Sequence, residues 1–328
     1  MNKKALLSTL AILLLLGSFS VAKADTVLFP VVATNPPNVT TIISVTNQGP
    51  SSDFLTYIYS YKPTFLGGGA PNYSGGCSVQ SFVQPTFAPD IVSFDVSATF
   101  NEGFALFNDP DSYTSNFDLA LPQGSGPQRA YLLVTNSDES GNRVDVGATS
   151  SLRGEAVLLD ILFGAAWGYK AINDTSGEDF SFLSVSDNGA LVNVMNPTLD
   201  DSTRFTFFPF SDWTTRFFVT PVGFDMDITD LASTLRLYQT NPIVPGINGR
   251  GGDMYSFNIP QTVVCTGAVN LTDLLDSTAF SALENTGGWG RISVDSGDAA
   301  VIYKLEFVVN NPTFGGTNNN GFLLSGID

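Results

Sequence analysis

Histidine is absent from the 328 residues, and that absence removes whole classes of chemistry. Without an imidazole there is no Ser-His-Asp or Cys-His triad and no His-ligated zinc or haem. Neither a Gly-x-Ser-x-Gly elbow nor a Gly-x-x-x-x-Gly-Lys loop occurs, which sets aside the common hydrolase and nucleotide-binding readings. Cations are scarce: 14 Lys and Arg stand against 31 Asp and Glu, for a net charge of −17. Phosphate binding needs clustered Lys and Arg, so no nucleic-acid partner is expected, and adsorption to anionic lipid is disfavoured. Cysteine is limited to Cys77 and Cys265. After the N-terminal apolar run no second long one follows, so no membrane span is expected once that run is removed.

What is present begins with the three parts of a secretory signal peptide over residues 1–24: Lys3 and Lys4, the run Ala5 to Leu16, and Ala22-Lys23-Ala24. Cleavage before Asp25 would leave 11 basic against 31 acidic residues, a net charge of −20. The expected location is outside the cytoplasm: extracellular, cell-surface or periplasmic. In such a compartment two cysteines oxidise. A Cys77–Cys265 disulfide is therefore expected, and in the chain-entropy model closing so long a loop contributes roughly 4 to 5 kcal/mol.

Apolar content of 43% with 26 Phe argues for real cores. Short runs of β-branched and aromatic residues recur between Gly, Pro, Asn and Asp, as in Asp53 to Tyr61, Ile91 to Ala98 and Ala300 to Val309. The clearest hairpin is Arg129 to Asn136 with Arg143 to Ala148 around Ser137 to Asn142, and Asp187-Asn188-Gly189 marks another. Glu155 to Tyr169 suits either a buried strand with a turn or a short helix; Gly164 and Gly168 favour the strand. The best helix candidate is Thr272 to Glu284, with Thr272 as cap. The fold class expected is all-β, an antiparallel β-sandwich of immunoglobulin-like or jelly-roll type with at most one or two short helices. An outer-membrane barrel would need stricter alternation than runs such as Val157 to Phe163 allow.

Val27 to Asn47, VLFPVVATNPPNVTTIISVTN, is echoed by Phe205 to Pro221, FTFFPFSDWTTRFFVTP: a Phe-Pro step, a turn-like insert, Thr-Thr, then a run closing on Val-Thr. Each copy reads as a hairpin-like opening of two strands, with Pro30 and Pro209 at an edge, bulge or strand end. The echo predicts two related modules, 25–200 and 201–328.

Three chemistries survive the lack of histidine. Glycoside hydrolysis needs two spaced carboxylates, but nothing pairs Glu102, Glu155, Glu178, Glu284 and Glu306. Calcium needs only oxygen ligands from loops; Asp225, Asp227 and Asp230 are the candidate ligands, with the pairs Asp109/Asp111 and Asp295/Asp298 behind them. Sugar binding would use rings among Tyr57, Tyr59, Tyr61, Tyr73, Trp167, Trp213 and Trp289. The period-two tyrosines read more simply as one face of a strand.

LFPVV and TTIISVTN resemble the opening of a loosely defined group of uncharacterised secreted bacterial proteins with β-sandwich modules, matched here by Phe29-Pro30, Thr40-Thr41 and Cys77. The resemblance implies a surface or extracellular protein and names no catalytic residue or ligand. The reading that results is a secreted, non-enzymatic structural or surface-interaction protein, a candidate subunit of a fibre or surface layer. Its partners would be other copies of itself or cell-surface components. The alternative is a carbohydrate-binding or adhesive module, stabilised by calcium. For assembly, residues 25–34 are the candidate exchange strand, offering Val27, Phe29 and Val31 to a neighbouring core.

Overall fold

A computed structural model of the chain describes residues 26–49, 53–63, 73, 75–98, 105–108, 119–121, 127–144, 152–161, 165–173, 191–193, 204–222, 231–238, 245–256, 259–295, 300–308, 310–311 and 316–317. Strands form where β-branched and aromatic residues gather and stop at Pro, Gly, Asn and Asp. In the first half they are β1 (Thr26–Thr34), β2 (Val39–Asn47), β3 (Phe54–Pro63), β4 (Ser78–Pro85), β5 (Asp90–Asp95), β6 (Ala105–Asn108), β7 (Gln128–Ser137), β8 (Leu152–Asp160), β9 (Ala165–Lys170) and β10 (Ile172–Asn173). There follow β11 (Leu191–Asn193), β12 (Arg204–Phe207), β13 (Trp213–Pro221), β14 (Ala232–Tyr238), β15 (Ile247–Gly249), β16 (Met254–Tyr255), β17 (Gln261–Val264), β18 (Gly267–Asn270), β19 (Gly288–Val294) and β20 (Ala300–Val308).

All named pairings are antiparallel, and the expected all-β fold is what the chain adopts. Sheet I has the order β10-β1-β7-β3-β4 and sheet II the order β6-β5-β2-β8-β9. Sheet III is β11-β20-β13-β18. In sheet IV, β19 carries β12 on one side and β14 and β15 on the other, with β17 beyond β14 and β16 beyond β15. Sheets I and II face each other. Tyr57 of β3 meets Phe94 of β5 edge-on at 6.0 Å, and Gly154 of β8 leaves room for Phe29, whose Cζ would lie 2.2 Å from a Cβ there. Sheets III and IV enclose a second core, with Phe205 of β12 edge-on to Phe217 of β13 at 5.0 Å.

One strand order occurs twice. In sheet I, β1-β7-β3-β4 stand in the same sequence as β12-β19-β14-β17 in sheet IV, and β5-β2-β8 of sheet II match β18-β13-β20 of sheet III. The two stretches that echo each other in sequence, β1 with β2 and β12 with β13, hold corresponding places. β11 falls within residues 25–200 yet pairs with β20 of the second half.

Several expectations change in the structure. The opening is no hairpin: β1 and β2 lie in facing sheets, and Thr41 Oγ1 ties the arch by donating to Ala33 O at 2.9 Å and accepting from Ala33 N at 3.0 Å. β12 and β13 cross between sheets in the same way. Pro30 sits where the β1–β7 register shifts, between Phe29 and Val32, as a residue without a donor should. The proposed exchange strand is held in its own sheet: every residue of β1 is buried, between β7 and the short β10. Glu155 to Tyr169 is a strand pair, β8 and β9, and β8 alternates buried and exposed positions rather than being buried throughout.

The candidate helix is shorter than expected. A 3-10 turn, Leu271–Leu274, precedes the helix α1 (Ser277–Leu283), and Asp276 caps α1 by accepting from Ala279 N at 2.8 Å, so Thr272 is not its cap. β7 turns through Asp138, whose carboxylate accepts from Ser140 N, Asn142 N and Asn142 Nδ2, and returns as a bridge between Ser137 and Arg143. The side-chain bond from Asn142 leads in holding the Asp138 carboxyl below its ordinary value. Residues 145–148 and the Asp187-Asn188-Gly189 turn lie outside the described residues.

Candidate functional site

Sheet III is buried on both faces. Phe217, Val219 and Ile302 point into the core shared with sheet IV, while Phe218, Val301 and Tyr303 join the core of the first half. That double burial explains why β13 reads as an unbroken apolar run. At the meeting of the halves, Trp167 of β9 stacks on Phe218 at 6.0 Å and meets Tyr303 edge-on at 5.5 Å. The Tyr169 hydroxyl donates to Val31 O at 2.6 Å, and burial pushes it well above its ordinary pKa. Thr220 Oγ1 donates to Pro30 O at 2.6 Å.

A polar clamp closes the other end of this junction. Cys77, just before β4, is bonded to Cys265, just after β17, with Cα atoms 6.0 Å apart. The expected disulfide is thus present. Its halves stand at opposite ends of corresponding strands, so the cysteines are not equivalent positions of the repeated order. Beside it, Lys62 Nζ donates to the carbonyls of Tyr73, Gly75 and Val264 at 3.3, 3.2 and 3.0 Å. Val264 N donates to Tyr73 O at 2.8 Å, and the Tyr73 hydroxyl donates to Asp273 Oδ2 at 2.8 Å. Nothing in the sequence marked Lys62, because its three acceptors come from distant segments.

The candidate carboxylates occupy separate elements. Glu155 is on β8 opposite Lys170, Glu284 follows α1, and Glu306 is on β20 beside Lys304 and Thr215; Glu102 and Glu178 lie outside the described residues. Among the described residues no three His, Cys, Asp or Glu side chains form a set able to hold a metal ion. Asp225, Asp227 and Asp230 lie outside the described residues, as do Asp109, Asp111 and Asp298. Asp295 is engaged in a short ion pair with Arg236.

Of the candidate sugar-stacking rings, Tyr57, Tyr59 and Tyr73 are buried, and Tyr59 donates its hydroxyl to Leu119 O at 3.0 Å. Trp289 is different: it stands on the outer face of sheet IV with 38% of its surface exposed. Gly288 and Gly290 flank it on the inner face, where Phe207 and Phe205 fill the space their missing side chains leave. Antiparallel register puts directly opposed residues on one face, so the surroundings of Trp289 form a grid. Thr206 lies on one side of it, Asn248 and then Met254 on the other. One level along, Arg204, Arg291 and Tyr238 form a second row. On the opposite side Phe208, 51% exposed, stacks on Trp213 at 4.6 Å, and Arg250 N donates to Gly287 O at 3.1 Å.

A second exposed feature is β4, the end strand of sheet I. Its eight residues, SVQSFVQP, contain no ionisable group, and Val79 is 56% exposed. Phe82 packs inward against Tyr59 at 6.3 Å, while Val79, Ser81 and Val83 lie on the outer face opposite Ser60, Ile58 and Thr56. Among the described residues no strand pairs with the far side of β4.

Comparison with known proteins finds no matching family model, no matching curated protein and no matching solved structure.

Proposed function

We propose that this chain is a secreted, non-enzymatic structural or surface-interaction protein that associates with copies of itself, built of two related β-sandwich modules over residues 25–200 and 201–328. The observation that carries the reading is β4. Sheet edges are ordinarily guarded by charge, Pro or a bulge within the strand, yet this one has eight uncharged residues in a chain of net charge −17, and its one Pro, Pro85, stands at the last position of the strand. Antiparallel pairing of two β4 strands about Ser81 sets Val79 against Val83 twice on the outer face and Gln80 against Phe82 on the inner face. No like charges then oppose each other. Such a contact is isologous and yields pairs; a fibre or layer adds a second contact. The recurrence of one strand order supports the module reading.

The test is the native mass of the secreted protein by light scattering, with electron microscopy for ordered polymers. Ser81→Lys places two lysines face to face at the centre of the contact and is expected to convert pairs to monomers without unfolding. A wild-type protein that stays monomeric at all concentrations removes the reading. A second reading, a carbohydrate-binding module, is favoured by the exposed rings around Trp289.

A further inference from the structure

We infer that the outer face of sheet IV, centred on Trp289, binds an acidic polysaccharide. The inference deepens the carbohydrate reading and is independent of the β4 edge. Three features meet there. The first is exposed ring surface: Trp289 and Phe208 keep 38% and 51% of their area open, and Met254, two strands from Trp289 in its own row, keeps 65%. An isolated exposed apolar residue needs no explanation, but Trp289 and Met254 share one row on one face, with the buried Asn248 between them. Flat rings with wet edges suit the apolar face of a sugar, whose hydroxyls point outward around it.

The second feature is charge. The chain has only 14 cationic residues, and two exposed arginines, Arg204 and Arg250, fall within one residue row of Trp289, while Arg291 in the same row as Arg204 is buried. Arg204 and Arg250 are exposed and lie on opposite sides of the tryptophan, each about 7 Å along the strand direction, from a rise of about 3.4 Å per residue. An acidic protein repels polyanions in general, so two exposed guanidinium groups flanking the ring, against the exposed Asp253 next to Met254, are what would admit a carboxylated or sulfated chain to this one face. Planar guanidinium forks suit carboxylates better than ammonium groups do.

The third feature is how the face is supported. Trp289 is carried on a strand paired along both sides, and glycines on either side of it admit Phe205 and Phe207 beneath. Gly287 has φ +65°, and a Cβ there would lie 2.6 Å from Phe207 O, so only glycine lets the start of this strand approach the end of β12 so closely. Rigid strands present rings with little ordering cost on binding.

The test uses the whole secreted protein with Ser81→Lys, which separates glycan binding from self-association. Polygalacturonate and alginate serve as acidic polymers and dextran as the neutral one, in affinity electrophoresis and in titrations read by tryptophan fluorescence. The protein is expected to bind the acidic polymers and not dextran, with binding weakened by added salt. Trp289→Ala is expected to weaken binding about tenfold, and Phe208→Ala by a smaller factor. Arg204→Gln with Arg250→Gln is expected to abolish the preference over dextran. Both ring positions are exposed, so an unchanged thermal midpoint checks that the variants fold. Absence of binding to either acidic polymer overturns the inference, as does equal binding by Trp289→Ala or equal binding to dextran. Loss of self-association by Trp289→Ala in the otherwise wild-type chain would assign the face to a protein contact instead, which also overturns it.

Discussion

Lys62 is a buried cation whose ammonium meets three backbone carbonyls, one of them Val264 O from the second half of the chain. An ammonium has three donors and no acceptor, so this cage satisfies it. Lys62→Met keeps the stem and removes the donors, leaving carbonyls in a dry junction. A loss of about 2–3 kcal/mol is expected in urea unfolding, since hydrogen bonds to charged groups are the stronger ones. A change within measurement error would mean the disulfide and the shared core hold the junction without it. Glu306 tests the opposite situation. Desolvation raises its carboxyl above the ordinary value, while Lys304 at 2.9 Å and Thr215 at 2.8 Å pull it back. A carboxyl raised in the folded state keeps its proton longer there than in the unfolded chain. Its contribution to stability is therefore complete below the ordinary carboxylate pKa and is lost as pH rises through the raised one. Glu306→Gln is expected to gain thermal stability relative to wild type as pH rises above the ordinary carboxylate range. A difference that does not change with pH refutes the assignment.

At the scale of elements, β1 decides between exchange and self-packing. Both faces of the strand are buried, Thr26 Oγ1 and Thr135 Oγ1 share a hydrogen bond of 2.8 Å, and Arg143 Nη2 donates to Thr26 at 2.9 Å. Deleting residues 26–34 should leave no folded monomer, as read by circular dichroism and solubility. A soluble folded product would restore the exchange strand as an assembly device. The β4 edge has the contrary character: Val79 projects outward, so a lysine at Ser81 alters association rather than folding.

For the molecule as a whole, the shared core and the disulfide join the two halves. Phe218, Val301 and Tyr303 of the second half pack in the same cluster as Tyr169 and Val31 of the first. One unfolding transition is expected in calorimetry, and it should remain single after reduction. The Cys77–Cys265 bond spans 188 residues. Its removal in the paired Cys77→Ser, Cys265→Ser variant should cost about 5 kcal/mol in the chain-entropy model. Two separated transitions in the reduced protein would show that the core contacts do not couple the halves.

By itself the sequence determined the class of structure and the elements that depend on near neighbours. Pro30 marked the register shift in β1, the tyrosines at 57, 59 and 61 marked one face of β3, and Ser137 to Asn142 marked a turn, because backbone donors and side-chain alternation act over a few residues. The disulfide was also legible, since two cysteines leave only one intramolecular pairing. Partner choice across the chain was decided only by the tertiary structure. Whether β1 pairs with β2 or crosses to the facing sheet depends on which apolar faces must be covered, and the facing sheet covers the side of β1 that holds Phe29 and Val32. The same global packing splits the helix candidate at Leu275 and brings Lys62 to Val264. It also sets Thr206, Trp289 and Met254 in one row, because strands far apart in sequence become neighbours only when a sheet closes over its core.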